Sequence, residues 1–127
     1  MMLLGAGIDI VDVQRIKDII ERRGDRFIEK ILNSRELEEL AEVSNSVAFV
    51  AKRFAVKEAA AKALGTGIGK RLSFTDMYVE HDELGKPLLK FTEDCSARLN
   101  LKDKHSLLTI ADERAYAVAH VLFFVKE

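Results

Sequence analysis

The hydrophobic pattern changes period halfway along the chain. From Gly5 to Val13 it is strand-like: Ile8, Ile10, Val11 and Val13 are β-branched and enclose a single acid, Asp9. From Val13 onward the apolar positions recur at helical spacing. Asp12 is placed to cap a helix with Val13, Ile16, Ile19 and Ile20 on its inner stripe, and Gly24 stops it. Asp25 opens a short helix with Phe27, Ile28, Ile31 and Leu32 inward. Ser34 is the expected cap of a third, with Glu36 in its first turn and Leu37, Leu40 and Ala41 inside. After Ser44-Asn45-Ser46 an Ala-rich helix of about twenty residues, free of Pro, runs to Gly65.

Beyond Gly65 the period returns to two. Residues 72–80 (LSFTDMYVE) read as a strand, 82–87 (DELGKP) as a turn with Gly85 suited to positive φ, and 88–92 as the second arm of a hairpin. Thr92-Glu93-Asp94 starts a helix carried on by Ala97, Leu99 and Leu101. Residues 107–111 form a strand, Asp112-Glu113-Arg114 a turn, and 115–125 the last strand. That strand is apolar on both faces. Tyr116, Val118, His120, Leu122 and Phe124 share one; three alanines, Val121, Phe123 and Val125 share the other. Both faces need cover; helices supply one and a second subunit is expected on the other. The expected class is α+β: an N-terminal strand, helices including one long central helix, then a small, mainly antiparallel sheet. No repeat or linker divides residues 1–127, so one domain is expected.

Composition adds bounds. In 127 residues, 48% are hydrophobic and 32% charged, with net charge −1, which describes an ordinary soluble globular chain. Residues 1–71 carry thirteen Lys/Arg against eleven Asp/Glu, and residues 72–127 seven against ten. No pronounced basic stripe results, so nucleic acid is not the expected partner. The start, MMLLGAGIDIVDV, has no basic flank and meets Asp9 early, so no signal peptide is expected. No apolar run is long enough to span a membrane. One cysteine, Cys95, excludes an internal disulfide and fits a reducing compartment; the expected location is cytoplasmic.

The candidate chemistry sits on and around the central helix. Glu58 and Lys62, four apart, share a helical row that runs back through Phe54 to Val50, so a carboxylate and an ammonium prolong a row that begins as core. A solvated surface pair has the same spacing. Asp9, if buried among its β-branched neighbours, must be paired, metal-bound or protonated; at an exposed edge it needs nothing. Gly65-Thr66-Gly67-Ile68-Gly69 fails as a phosphate loop. Leu64 and Arg71 stand where GxxxxGK[ST] needs Gly and Ser/Thr, Lys70 stands where GxGxxG needs Gly, and these glycines follow a helix instead of preceding one. Loop amides beside Lys62 are still able to hold an anion. His81, His105 and His120 have no ligand spacing; His105 is expected in a solvated loop and His120 in the core or an interface. If the strand and the helix meet, Asp9 and Glu58 supply the oxygens with which Mg²⁺ and a substrate phosphate are held.

GIDIVDVQRI, KRFAVKEAAAKALGTGIG, LSF followed by DELGKP, and TIADERAYA, in this order, closely resemble the holo-[acyl-carrier-protein] synthase family, the short members of the 4′-phosphopantetheinyl transferase superfamily. The resemblance covers nearly the whole chain. It implies that superfamily's fold, with sheets meeting in a homotrimer. It also implies transfer of 4′-phosphopantetheine from coenzyme A to a serine of apo-acyl carrier protein, releasing adenosine 3′,5′-bisphosphate, in fatty acid biosynthesis. The family's metal acids fall on Asp9 and Glu58, with Mg²⁺ as cofactor, and the lysine of its KExxxK motif on Lys62. Contacts to coenzyme A are implied for Arg53, Lys62, Gly65, Thr66, Gly67 and Thr109, and contacts to the carrier for Arg15, Arg22, Arg26 and Phe27. The chain departs from the pattern where many members have histidines: Leu107 and Asp112 stand there, so no histidine is assigned to coenzyme A. The alternatives are a module that binds coenzyme A or an acidic partner without chemistry, and a Mg²⁺-dependent phosphohydrolase. Intact Asp9, Glu58 and Lys62 argue against pure binding.

Overall fold

The computed structural model describes residues 1–126. Strand β1 (Met2–Asp12) runs into helix α1 (Val13–Arg23), α2 (Asp25–Ile31), α3 (Ser34–Leu40) and the long α4 (Ser46–Leu64). A 3₁₀ turn, Phe74–Asp76, precedes β2 (Met77–His81) and β3 (Pro87–Phe91). Then come α5 (Glu93–Arg98), β4 (Lys104–Asp112) and β5 (Tyr116–Val125). The class is α+β, as the change of period predicts.

The N-terminal strand does not stand apart. It joins the C-terminal strands in a three-stranded antiparallel sheet of order β1-β5-β4, while β2 and β3 form a separate hairpin. α4 lies across β1 and β5 with α1 and α2 on its far side, so it is apolar nearly all round. Its Ala51, Ala55, Ala59, Ala60, Ala61 and Ala63 are all buried, and their small side chains let sheet and helices approach from every side.

Several boundaries differ from the sequence reading. Val13 is the first residue of α1, with Asp12 accepting from the Gln14 amide as its cap. Asn33, not Ser34, caps α3; its side chain accepts from the Glu36 amide and Glu36 returns a bond to the Asn33 amide, a reciprocal capping box. Ala41 is exposed and Glu36 takes the interior instead. The strand expected from Leu72 begins only at Met77, because Ser73 and Asp76 close a 3₁₀ turn first. β4 starts at Lys104, which takes His105 out of a loop and stacks its ring on Phe124 at 5.5 Å between centroids. On β5 only the face with Ala117, Ala119, Val121 and Phe123 is covered. The other is open in the single chain: Ile8 and Ile10 of β1 are 59% and 63% exposed beside it, and His120 is exposed at its centre.

Candidate active site

Strand alternation gives Asp9 its direction. Gly5, Gly7, Asp9 and Val11 share the face of β1 turned to α4. The glycines set the distance: a Cβ on Gly7 would stand 2.0 Å from the Ala59 carbonyl oxygen, and one on Gly5 2.0 Å from that of Ala63. With the backbones this close, Asp9 meets the helix directly. Lys62 Nζ donates to Asp9 Oδ1 at 3.0 Å and to the Ile8 carbonyl at 2.9 Å. Glu58, one turn earlier, is half-buried. Its carboxyl is held above the usual range first by burial and then by the negative charge of Asp9, with Lys62 and Arg15 acting the other way. β1, α1 and α4 thus bring Asp9, Arg15, Glu58 and Lys62 together.

A carboxylate whose charge a neighbouring carboxylate opposes, beside a lysine that pairs with that neighbour, forms a site that a cation relieves. Among the described residues no group of three or more His, Cys, Asp or Glu side chains is placed to hold a metal by itself. Magnesium is ordinarily held by one or two carboxylates, with water and substrate phosphate completing its shell. The two-carboxylate set fits such an ion.

The glycine loop does less than its sequence suggests. Gly65 takes the left-handed conformation that ends α4 (φ 76°), and Gly67 also has positive φ (63°). The amides of Gly65, Thr66 and Gly67 turn back to the Lys62 and Ala61 carbonyls at 3.1–3.3 Å, and the Thr66 hydroxyl donates to the Gly67 carbonyl. These amides are spent on closing the helix, so they build no anion cradle.

Arg53 and Thr109 stand away from this cluster. Arg53 is buried and lies over the Phe49 ring; its Nε donates to Glu36 at 3.0 Å and its Nη2 to Glu39 at 2.6 Å. It lines a cavity of about 370 Å³ that also meets Lys52, His81, Pro87 and Asp112. Thr109 sits opposite His120, which sits opposite Ile8, so it shares the open face of the sheet. Asp9 is on the other face. Arg22, Arg26 and Phe27, with Arg23 and Lys30, line a basic groove of about 410 Å³ on α1 and α2, where Phe27 is the buried wall, its ring 6.4 Å from that of Phe54.

Sequence reasoning missed Glu36 and Lys57. Lys57 is fully buried, donating to the Ile31 carbonyl at 2.5 Å and to Glu36 at 2.6 Å; Glu36 also accepts from the Val79 amide. Burial pushes the Lys57 ammonium below its ordinary pKa even though Glu36 opposes the shift. One signal existed: Asn33 and Glu36 have capping-box spacing, and Lys57 follows Arg53 by one helical turn.

The sequence profile of the 4′-phosphopantetheinyl transferase superfamily matches residues 5–121. The holo-[acyl-carrier-protein] synthase of Shewanella frigidimarina is 46% identical over 96% of this chain and 98% of its own length. That of Baumannia cicadellinicola is 48% identical over 97% and 85%. Among solved structures, the Neisseria meningitidis synthase superposes with TM-score 0.92 at 37% identity, covering 97% of this chain and 99% of its own. The Bacillus anthracis synthase, in complex with coenzyme A (3′,5′-ADP), superposes with TM-score 0.84 at 36% identity, covering 99% and 100%. With matches of this extent in both sequence and backbone, the chain belongs to the holo-[acyl-carrier-protein] synthases of the 4′-phosphopantetheinyl transferase superfamily.

Proposed function

We propose that the protein moves 4′-phosphopantetheine from coenzyme A to a serine of an acyl carrier protein, with Asp9, Glu58 and Lys62 as its catalytic residues. The observation that carries this reading is the convergence of these three side chains where β1 crosses α4. The serine oxygen bonds to the β-phosphorus of coenzyme A, the bond from that phosphorus to the bridging oxygen breaks, and adenosine 3′,5′-bisphosphate leaves as the serine proton is removed. Asp9 and Glu58 would hold Mg²⁺, which when bound neutralises the pyrophosphate and its leaving oxygens. Lys62 spends two of its three N–H donors on Asp9 and Ile8, so one is left for the leaving phosphate. Glu58, raised by burial, is suited to take the serine proton through a water.

Supporting contacts follow the same reading. Arg53, Thr66 on the loop that Gly65 and Gly67 shape, and Thr109 contribute to coenzyme A binding, and the basic groove of α1 and α2, with Arg15, receives the acidic carrier. Arg53 and Thr109 are remote from Asp9 within one chain, which favours a trimer in which neighbouring copies complete each site across the open sheet face. The buried free thiol of Cys95 supports a cytoplasmic location.

Incubation with coenzyme A, Mg²⁺ and apo-carrier, followed by intact mass of the carrier, tests the reaction. The phosphopantetheine mass increment, matched by bisphosphate release, is expected. Cleavage without carrier would instead make the protein a phosphohydrolase, and binding without cleavage a module that only holds coenzyme A.

A further inference from the structure

A third cavity contains none of Asp9, Glu58 and Lys62. Among the described residues β3 pairs only with β2 and β4 only with β5, so two strand edges face each other with no ladder between them. They enclose a groove of about 430 Å³, within the range of small-molecule sites. Its floor is Leu89, Leu101, Leu108 and Phe123, all buried. Lys86, Lys90, Lys104 and Lys126 line it, and among the described residues no Asp or Glu does. Among the described residues none of these four lysines is in an ion pair.

Unpaired cations above an apolar floor ask for a ligand with both an anionic and an apolar part. An inserted peptide strand is excluded by width: Cα atoms of β3 and β4 come within 8 Å of one another, whereas a strand between them needs roughly 9.6 Å, two strand spacings. A nucleotide is disfavoured by the lining. Among the described residues Ser96 and Ser106 are its only uncharged hydrogen-bonding side chains apart from His105, which is stacked on Phe124. Among the described residues no amide, guanidinium or carboxylate side chain lines it to read a base edge. We propose that the β3–β4 groove binds a single aliphatic chain with an anionic head, of the fatty carboxylate class. The chain would lie along Leu89, Leu108 and Phe123, with the head among the lysines.

This site shares no residue with Asp9, Glu58 or Lys62, so its test needs neither coenzyme A nor carrier. Calorimetric titration of the full chain with dodecanoate, below its micelle concentration, should show one saturable site per chain, weakened by salt. Lys90→Glu and Lys104→Glu should each weaken binding at least tenfold, while the circular dichroism spectrum and the transfer rate without dodecanoate stay unchanged. Acetate should give no detectable binding, and dodecyltrimethylammonium should bind at least tenfold more weakly than dodecanoate. The proposal is overturned by equal affinity for that cation, by unchanged affinity in both variants, or by no saturable binding of dodecanoate. Displacement of dodecanoate by adenosine 3′,5′-bisphosphate would overturn it too, making the groove a nucleotide site.

Discussion

Asp9 and Glu58 place two negative charges within each other's field, and Lys62 and Arg15 only partly offset them. Removing either carboxylate charge at constant volume therefore spares the fold but removes half of the proposed metal set. Asp9→Asn and Glu58→Gln should each lower transfer by three orders of magnitude or more, about 4 kcal/mol in barrier, with unchanged circular dichroism; near-normal rates at saturating Mg²⁺ would end the assignment. The pH dependence has a definite sign. The folded pKa of Glu58 lies above that of a free glutamate, so its ionised form costs stability as pH rises through that window, and activity needing that form is lost as pH falls through the raised pKa. Mg²⁺ competes with the proton for the same oxygens, so the acid limb of the rate profile should move to lower pH as Mg²⁺ is raised. A limb that does not move would separate Glu58 from the metal. Cys95 is a contrasting case, buried and pushed up to about 11 by desolvation and by Asp76; its thiol should resist disulfide reagents in the native protein and react on unfolding.

At the scale of elements, α4 is fixed from two sides. On the sheet side the contact depends on missing side chains. Gly7→Ala sets a methyl against the Ala59 carbonyl, backbone against backbone, so strand and helix must separate. Urea unfolding should show a loss above the ~1–3 kcal/mol of ordinary overpacking, and transfer should fall with it because Asp9 moves away from Lys62. On the other side Glu36 ties α4 to α2, α3 and β2 through Lys57, Arg53 and the Val79 amide. Glu36→Gln leaves the buried Lys57 without a carboxylate, while Arg53 keeps Glu39, which should cost about 3–5 kcal/mol. Replacing Glu36 and Lys57 together by Met should recover part of that loss in the same measurement. On α1 and α2 the basic groove concerns association instead of folding. Arg22→Glu or Arg26→Glu should raise the Michaelis constant for the carrier more than tenfold, roughly 1.4 kcal/mol, and leave that for coenzyme A nearly unchanged. Added salt should weaken carrier use by the unmodified protein. Two unchanged carrier constants would move the docking face elsewhere.

For the whole molecule the open face of the β1-β5-β4 sheet is the surface on which assembly turns. Ile8, Ile10, Tyr116 and Leu107 are exposed on or beside it, an apolar area that a lone chain would leave in water. Sedimentation at micromolar concentration should give three times the chain mass, and a mass of one chain would refute the trimer. Val118→Asp should dissociate the assembly, because it puts an unpaired charge in the contact. Val121→Asp is no equivalent test. Val121 is fully buried on the covered face, so a charge there strikes the monomer core.

What the sequence determined by itself is whatever short-range chemistry decides. The Asp12 and Thr92 caps, the Gly65 stop and the Gly85 turn all follow from neighbours within a few residues, and each is where the pattern predicts; the return to strand period is legible too, though β2 begins at Met77 and not at Leu72. The candidate site was legible as a set of residue types, and Asp9, Glu58 and Lys62 could be named before any fold was known. Their meeting could not be read. It depends on β1 pairing with a strand more than a hundred residues later and on two glycines letting α4 approach, both long-range events. Arg53 and Lys57 illustrate the same limit, since local pattern reads them as helix cations and only the packed fold supplies a buried carboxylate from α3. The loop amides look free in sequence but are used by the helix they follow. Where the partner of a charge or an amide lies far along the chain, tertiary structure alone decides, because a buried polar group takes whichever partner folding brings within reach.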